Sequence, residues 1–212
     1  MNRDDQELEV KFYLSRRGEM EARILSLGAR LGDPRVHEIN LRFDTPDQSL
    51  LETGKLLRLR TDRRARLTYK GPGDERAGAR LREELEFTVS DFETARKLLD
   101  ALGYQVTMMY EKYRTTYILG ELEIVLDEMP YGDFIEIEGP DGESIQKVAE
   151  GLGLDWDRRI LLSYTVLFDH VRQALGLNFK DLSFDNFRGL VISPDALDVK
   201  IADRNESRQD GV

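Results

Sequence analysis

Residues 112–138 read KYRTTYILGELEIVLDEMPYGDFIEIE. Polar and apolar side chains alternate there in short runs broken by turn residues, the pattern of successive strands. Side chains two apart on a strand share a face. Leu122, Ile124 and Leu126 therefore lie opposite Asp127, and Ile135 and Ile137 lie opposite Glu136 and Glu138. Lys112 and Arg114 share a face in the same way. One face of each strand is greasy and the other is ionic.

Working outward, the same alternation predicts strands near 6–13, 36–44, 55–62, 66–71, 81–89, 105–111, 112–119, 121–128 and 132–139. The pair meeting at residue 111 can also be read as one long bent strand. Helical periodicity predicts 16–28, closed by Gly28, and 91–102, capped by Asp91 and closed by Gly103. Further helices are predicted at 141–151 and 161–175, the latter ending at Gly176. Several connections are too short for parallel crossovers, which favours an antiparallel α+β fold. Residues 1–176 form one domain on this reading. Residues 177–212 form an appendage that docks by helical packing over 177–200 and ends in a disordered tail, 203–212.

The ionic faces decide the architecture. Glu7, Glu9 and Lys11 lie together on the first strand, and Arg58 and Arg60 on another. Lys70 shares a face with Thr68, and Arg82 with Glu84 and Glu86. A single strand of this kind is ordinarily the solvated side of an antiparallel sheet. As a set they differ, because like charges at i, i+2 repel and a surface strand gains nothing from them. A polyanion would neutralise the basic pairs, and divalent cations the acidic ones. Carboxylates without His or Cys suit Mg²⁺ or Mn²⁺, and Arg with Lys suits phosphate oxygens. Closing about eight strands into a barrel puts the charges inside, around one small ligand. The amphipathic helices then cover the apolar outside.

Composition sets limits on partners. The chain has 212 residues, 31 basic and 41 acidic, for a net charge of −10, with no Cys and only His37 and His170 as histidines. This excludes disulfide scaffolds, thiolate metal sites and Cys nucleophiles. It argues against nucleic-acid or anionic-membrane binding. No apolar run approaches a membrane span, and the acidic N-terminus lacks a signal-peptide core, so a cytoplasmic location is expected.

Taken in order, these segments resemble the CYTH superfamily, the triphosphate tunnel metalloenzymes. Glu7-Leu-Glu9-Val-Lys11 matches the opening ExExK. RFDTPDQSLLETGKLLRLR resembles the aromatic-Asp-Thr segment and its LRxR strand, and RLTYKGPGDER the lysine strand. Arg82-Glu-Glu84-Leu-Glu86 matches RxExE, and Lys112-Tyr-Arg114 matches KxR. LDEMPYGDFIEIEG matches LDxxxxxGxFxEIE, and Ser163-Tyr164 the Ser-Tyr of a terminal helix. The resemblance covers roughly residues 5–170. It implies a closed eight-stranded antiparallel β-barrel (tunnel) with helices packed outside.

The resemblance also implies roles. Lys11, Arg58, Arg60, Lys70, Arg82, Lys112 and Arg114 would hold triphosphate oxygens. Glu7, Glu9, Glu84, Glu86, Asp127, Glu136 and Glu138 would place Mg²⁺ or Mn²⁺, with Lys11, Glu9 and Asp127 at the chemistry. These seven bases and seven acids cancel, so the excess of negative charge lies outside the tunnel.

The expected activity is metal-dependent hydrolysis of a small-molecule triphosphate, inorganic or carried by a nucleoside or thiamine. The alternative is a class IV adenylyl cyclase making cyclic AMP and pyrophosphate. The His-Phe pair that precedes ExExK in well-defined bacterial cyclases is absent, since Asp4-Asp5-Gln6 stands there. A non-catalytic polyphosphate-binding module is the third reading, and the assembly is left open to a homodimer. KGPGDERAGAR is read as a hairpin loop, because a phosphate-cradling loop needs a following helix. Arg158 and Arg159 are read as a solvated pair, with reach to the tunnel's open end as the alternative. Tyr164 is expected to pack and hydrogen-bond where the last helix meets the barrel, His37 to be structural, and Glu123 to be peripheral.

Overall fold

The computed structural model describes residues 6–76 and 78–203, apart from the side chains of Gln6 and Glu7. Eight strands carry the fold: β1 (Gln6–Leu14), β2 (Arg30–Asp44), β3 (Leu56–Thr61), β4 (Ala65–Arg76), β5 (Ala79–Val89), β6 (Gln105–Leu119), β7 (Leu122–Met129) and β8 (Gly132–Glu138). The helices are α1 (Arg17–Ser26), the single turn α2 (Ser49–Glu52), α3 (Phe92–Ala101), α4 (Gly142–Gly151) and α5 (Tyr164–Leu175). The sheet runs β1-β5-β4-β3-β2-β6-β7-β8 and closes on itself as a barrel. Every neighbouring pair is antiparallel.

Local chemistry fixes the helix ends. Asp91 accepts a hydrogen bond from the Thr94 amide at 2.7 Å, and Asp141 from the Ser144 amide at 2.8 Å. Each satisfies an orphan donor of the first turn. Gly176 ends α5 at φ 65°, where a side chain would be strained. At the β7–β8 turn, Gly132 lies against the Tyr13 ring, and a Cβ there would stand 2.6 Å from it.

Residues 105–119 form one continuous strand, the alternative that the sequence left open at residue 111. Three other strands differ from the sequence reading. β4 runs on to Arg76 and β5 begins at Ala79, so the stretch read as a hairpin loop is largely strand, with a bulge between Lys70 and Gly73. β2 begins at Arg30 rather than near residue 36, passing Gly32 and Pro34 through register shifts. Those two residues resemble a turn in sequence, yet an irregular strand accommodates them.

Apolar outer faces meet the helices in two layers. Val10, Phe12, Ile124 and Ile137 are buried under Met20 and Ile24 of α1 and Ile145 and Ala149 of α4. On the opposite wall Phe43 and Leu59 meet Ala95 and Leu99 of α3. A third cluster closes one end of the barrel, where Leu167, Phe168 and Val171 of α5 pack with Tyr131 and Phe134. Fully burying each such side chain contributes about 1.5–3 kcal/mol.

Residues 177–203 enter that third cluster through Leu182, Phe187 and Leu197. They do so mostly as turns, with one 3₁₀ turn at Pro194–Leu197, in place of the expected helical packing. Leu182 donates to the Met109 carbonyl at 2.9 Å and accepts from the Glu111 amide at 3.0 Å, so it acts as an extra strand residue. Asp203, assigned from sequence to a disordered tail, is instead 1% exposed. Its carboxylate accepts from the Ser15 and Arg16 amides at 2.9 and 2.7 Å. The remainder of that predicted tail, 204–212, lies outside the described residues.

Leu182→Ala is therefore expected to lower unfolding free energy by about 2–5 kcal/mol, whereas Leu190→Ala, at a position 41% exposed, should stay within about 0.5 kcal/mol. Urea titration of the full chain measures both, and a silent Leu182→Ala would show that this segment does not support the barrel end.

Candidate functional site

Alternation along each strand sends ionic side chains into the barrel, where they wall a cavity of about 800 Å³. Every motif residue named from sequence lines it, with two exceptions. Glu7 sits opposite Arg82 in the β1–β5 register, but its side chain lies outside the described residues. Asp127 is fully buried beneath the lumen side chains that bind it.

Asp127 organises the bases around it. Arg114 grips its two oxygens at 2.7 and 2.5 Å, Lys112 donates at 2.8 Å, and the Tyr164 hydroxyl donates at 2.9 Å. Arg114 also reaches Glu136 at 2.5 Å, and Lys11 meets Glu136 at 3.0 Å. Across the barrel Lys70 pairs with Glu84 at 2.7 Å, and Arg58 and Arg60 lie 3.5 and 3.3 Å from Glu86. Arg82 turns to the Gly71 carbonyl at 2.6 Å, where the chain bulges between Lys70 and Gly73. These are charge-assisted contacts between largely buried side chains, where pairing counts for more than at the surface.

The buried charges shift one another. Burial alone would raise the Glu136 carboxyl, but Lys11, Arg114 and Lys112 hold it well below the usual carboxylate range. Lys11 is raised, since Glu9 and Glu136 outweigh the burial that opposes its charge. Tyr164 is pushed far above the ordinary phenol range, first by burial and then by Asp127 and Glu136. Its ring lies 4.9 Å from the Lys11 ammonium and 5.2 Å from that of Lys112, so it covers both cations while holding Asp127.

Several lumen residues escaped the sequence reading. Glu38, 2% exposed, lies 3.3 Å from Arg60 and 3.8 Å from Lys112. Burial would raise its carboxyl, yet Lys112, Arg114 and Arg60 bring it down to about 2. Arg42, Arg66, Arg80 and Tyr110 also line the cavity. Their signal was parity: Glu38 and Arg42 alternate with Ile39, Leu41 and Phe43, and Tyr110 is in phase with Lys112. Arg80 preceded the predicted start of its strand. Glu123, read as peripheral, lines the cavity as well, and burial raises its carboxyl.

The features set aside resolve separately. Arg159 donates to the Gly78 carbonyl at 2.9 Å and so fastens the β4–β5 hairpin to the chain before α5. Arg158 donates to the Ile201 carbonyl at 2.6 Å. His37 meets Glu111 at 2.8 Å, a structural contact.

The donor set fits a hard divalent cation in chemistry, being all carboxylate oxygen. Glu9, Glu138 and Glu123 stand directly opposite one another across β1, β8 and β7 on the lumen side. Such a row of like charges is unfavourable without a counter-ion. Among the described residues, the side chains as they stand do not converge three carboxylates on one point.

The family comparison agrees with this geometry. The CYTH domain model matches residues 5–158, and the chain belongs to that family. Adenylate cyclase CyaB of Aeromonas hydrophila is 28% identical over 185 residues, covering 81% of this chain and 92% of that protein. A Pyrococcus horikoshii protein of solved structure is 29% identical with a TM-score of 0.63, over 74% of this chain and 96% of that one. HpAC1 from Hippeastrum, named for adenylyl cyclase and described as having a dominant triphosphatase activity, is 18% identical. It shares the fold at a TM-score of 0.57, over 92% of this chain and all of that one. No helix among the described residues is long and apolar enough to cross a membrane.

Two outcomes follow from the ion pairs. Asp127→Asn removes the charge that Lys112 and Arg114 share, and should cost about 3–5 kcal/mol in urea unfolding; an unchanged midpoint would show that the network is not a stabilising one. The Glu38 carboxyl is lower in the folded chain than its ordinary 4.5. Its stabilisation is therefore present above that ordinary value and is lost as pH falls toward the folded one. The deficit of Glu38→Gln relative to wild type should be largest above about pH 5 and shrink toward pH 2, as read from unfolding free energies across that range.

Proposed function

We propose that the protein hydrolyses a small-molecule triphosphate with the help of a divalent metal ion. What supports this most is the lumen wall itself, ionic from nearly every strand. A phosphate chain is the part of a substrate that such a wall can match.

On this reading Lys11, Arg58, Arg60, Lys70, Arg82, Lys112 and Arg114 bind and orient the phosphate oxygens. They also face charge that grows as the terminal phosphoryl group leaves for water, and preorganised cations there stabilise the transition state. Asp127 and Tyr164 hold Lys112 and Arg114 in place, so the grip is set before substrate arrives. Glu9 and Glu138, with Glu7, Glu84, Glu86 and Glu136 as further donors, are the residues that would hold Mg²⁺ or Mn²⁺; Asp127, expected from sequence among them, is fully buried with both oxygens engaged by Arg114, Lys112 and Tyr164, and so positions bases instead. When bound, the ion supplies Lewis-acid charge at the phosphate oxygens.

The cyclase reading rests on the name of the Aeromonas relative, and the same grip serves a ribose hydroxyl attacking the α-phosphorus. HpAC1 carries a cyclase name with a dominant triphosphatase activity, so such a name does not argue against hydrolysis.

Purified protein given Mg²⁺ or Mn²⁺ with tripolyphosphate, ATP or thiamine triphosphate is expected to release orthophosphate, resolved by ³¹P NMR. Cyclic AMP with pyrophosphate would overturn the hydrolytic reading in favour of cyclisation, and tight binding without turnover would favour a binding module. Lys11→Gln should lower kcat by about 10²–10³-fold, and Glu9→Gln should abolish metal-dependent turnover; a fully active Glu9→Gln protein would sink the metal assignment.

A further inference from the structure

Asn40 is the neutral member of a charged row. It lies between Glu38 and Arg42 on the lumen face of β2, directly opposite Arg60 of β3 and Tyr110 of β6. It is 0% exposed. Neither its amide oxygen nor its amide nitrogen has a hydrogen-bond partner among the described residues. Buried side-chain amides are ordinarily satisfied, because an unmet donor or acceptor loses its hydration and gains nothing for it. An apolar side chain of the same size would avoid that penalty.

Two neighbours carry the complementary orphans. Arg60 is held through its two Nη atoms, one 3.3 Å from Glu38 Oε1 and the other 3.3 Å from Glu86 Oε1, while its Nε–H meets no acceptor among the described residues. Both contacts are long for charge-assisted hydrogen bonds. Burial and Arg58 keep Arg60 below the ordinary guanidinium range despite the two carboxylates. Glu38 leaves Oε2 without a hydrogen bond, with the Lys112 ammonium 3.8 Å away. An unmet donor on Arg60 therefore stands opposite an unmet acceptor on Asn40. An unmet donor on Asn40 lies two residues along the same face from an unmet acceptor on Glu38.

We infer that Asn40 is a positioning residue whose hydrogen bonds close when an anion occupies the lumen. The inference rests on the triphosphate reading above, and it adds a residue to the phosphate grip without adding a contact to the phosphate. Oxygens of the anion draw the Nη atoms of Arg60 away from Glu38 and Glu86. The guanidinium then turns its Nε–H to the Asn40 amide oxygen, and the Asn40 amide nitrogen donates to Glu38 Oε2. Glu38 keeps a donor as Arg60 leaves it. A neutral amide suits this exchange. A carboxylate at position 40 would hold Arg60 back from the anion, and an ammonium would add to the repulsion that Arg58 already exerts. Asn40 thus destabilises the free protein and strengthens the bound one.

The test sets stability against affinity on the full chain. Thermal unfolding of the free protein is compared with calorimetric binding of an imido-bridged, non-hydrolysable triphosphate with Mg²⁺, for wild type, Asn40→Leu and Asn40→Thr. Leu is close in size and has no polar atom, whereas Thr keeps one hydroxyl that both donates and accepts. Asn40→Leu is expected to raise the Tm of the free protein by about 2–4 °C and to weaken the triphosphate Kd about tenfold. Asn40→Thr should stay within about threefold of the wild-type Kd. A residue that merely shaped the fold would lower Tm on replacement and leave Kd unchanged. An Asn40→Leu protein that is no more stable than wild type, or that does not fold, overturns the inference, since the amide is then already satisfied in the free chain. Wild-type affinity in Asn40→Leu overturns it too and leaves the triphosphate reading standing. A Thr variant weakened as far as Leu overturns the exchange of hydrogen bonds. A wild-type protein that does not bind the triphosphate overturns the triphosphate reading and this inference together.

Discussion

Everything inside the barrel depends on the mutual neutralisation of Asp127 and Glu136 by Lys11, Lys112 and Arg114. Taking any one of these charges out of water costs several kcal/mol, recovered only when partners and geometry are good. Asp127 meets that condition with two hydrogen bonds from Arg114, one from Lys112 and one from Tyr164. The same bonds fix where the cations point. Stability and preorganisation are therefore one property here, because the contacts that make the charges tolerable also aim them into the lumen.

That constraint explains the inverted layout of the fold. An ordinary soluble barrel of this size fills its interior with apolar side chains. Here the interior is ionic, so the hydrophobic stabilisation comes from outside the sheet. Phe12 and Ile137 are buried beneath α1 and α4, and Leu59 beneath α3. The α5 cluster closes one end, and Tyr164 belongs to both systems. Its ring packs with Phe134 at 5.1 Å while its hydroxyl reaches Asp127.

Much of this was legible in the chain because the barrel obeys a two-residue period. In Glu136-Ile137-Glu138 or Arg58-Leu59-Arg60, parity alone separates lumen from core. The misses occurred where parity was hidden or overruled. Gly32 and Pro34 masked the start of β2. Arg80 fell just outside its predicted strand, and Glu123 was in phase with Asp127 yet judged peripheral. Residues 177–203 were opaque for another reason. Leu182, Phe187 and Leu197 have no regular spacing, and their burial is fixed by the barrel end they cover. The pairing of Asp127 with Arg114, and its burial beneath Lys112 and Tyr164, are properties of side-chain direction and strand register that no linear pattern encodes.

The Asp203 carboxylate on the Ser15 and Arg16 amides bears on the order in which the molecule can be assembled. β1 precedes the other seven strands in the chain, yet its neighbours are β5 and β8, and its end is also held by Ala202, whose amide donates to the Tyr13 carbonyl, and by Asp203. During synthesis, at roughly 5–20 residues per second, the opening strand would leave the ribosome long before its last partners exist. Pairings this remote in sequence are slow to form. The alternating charges of Glu7, Glu9 and Lys11 would keep that waiting strand in water and away from other chains.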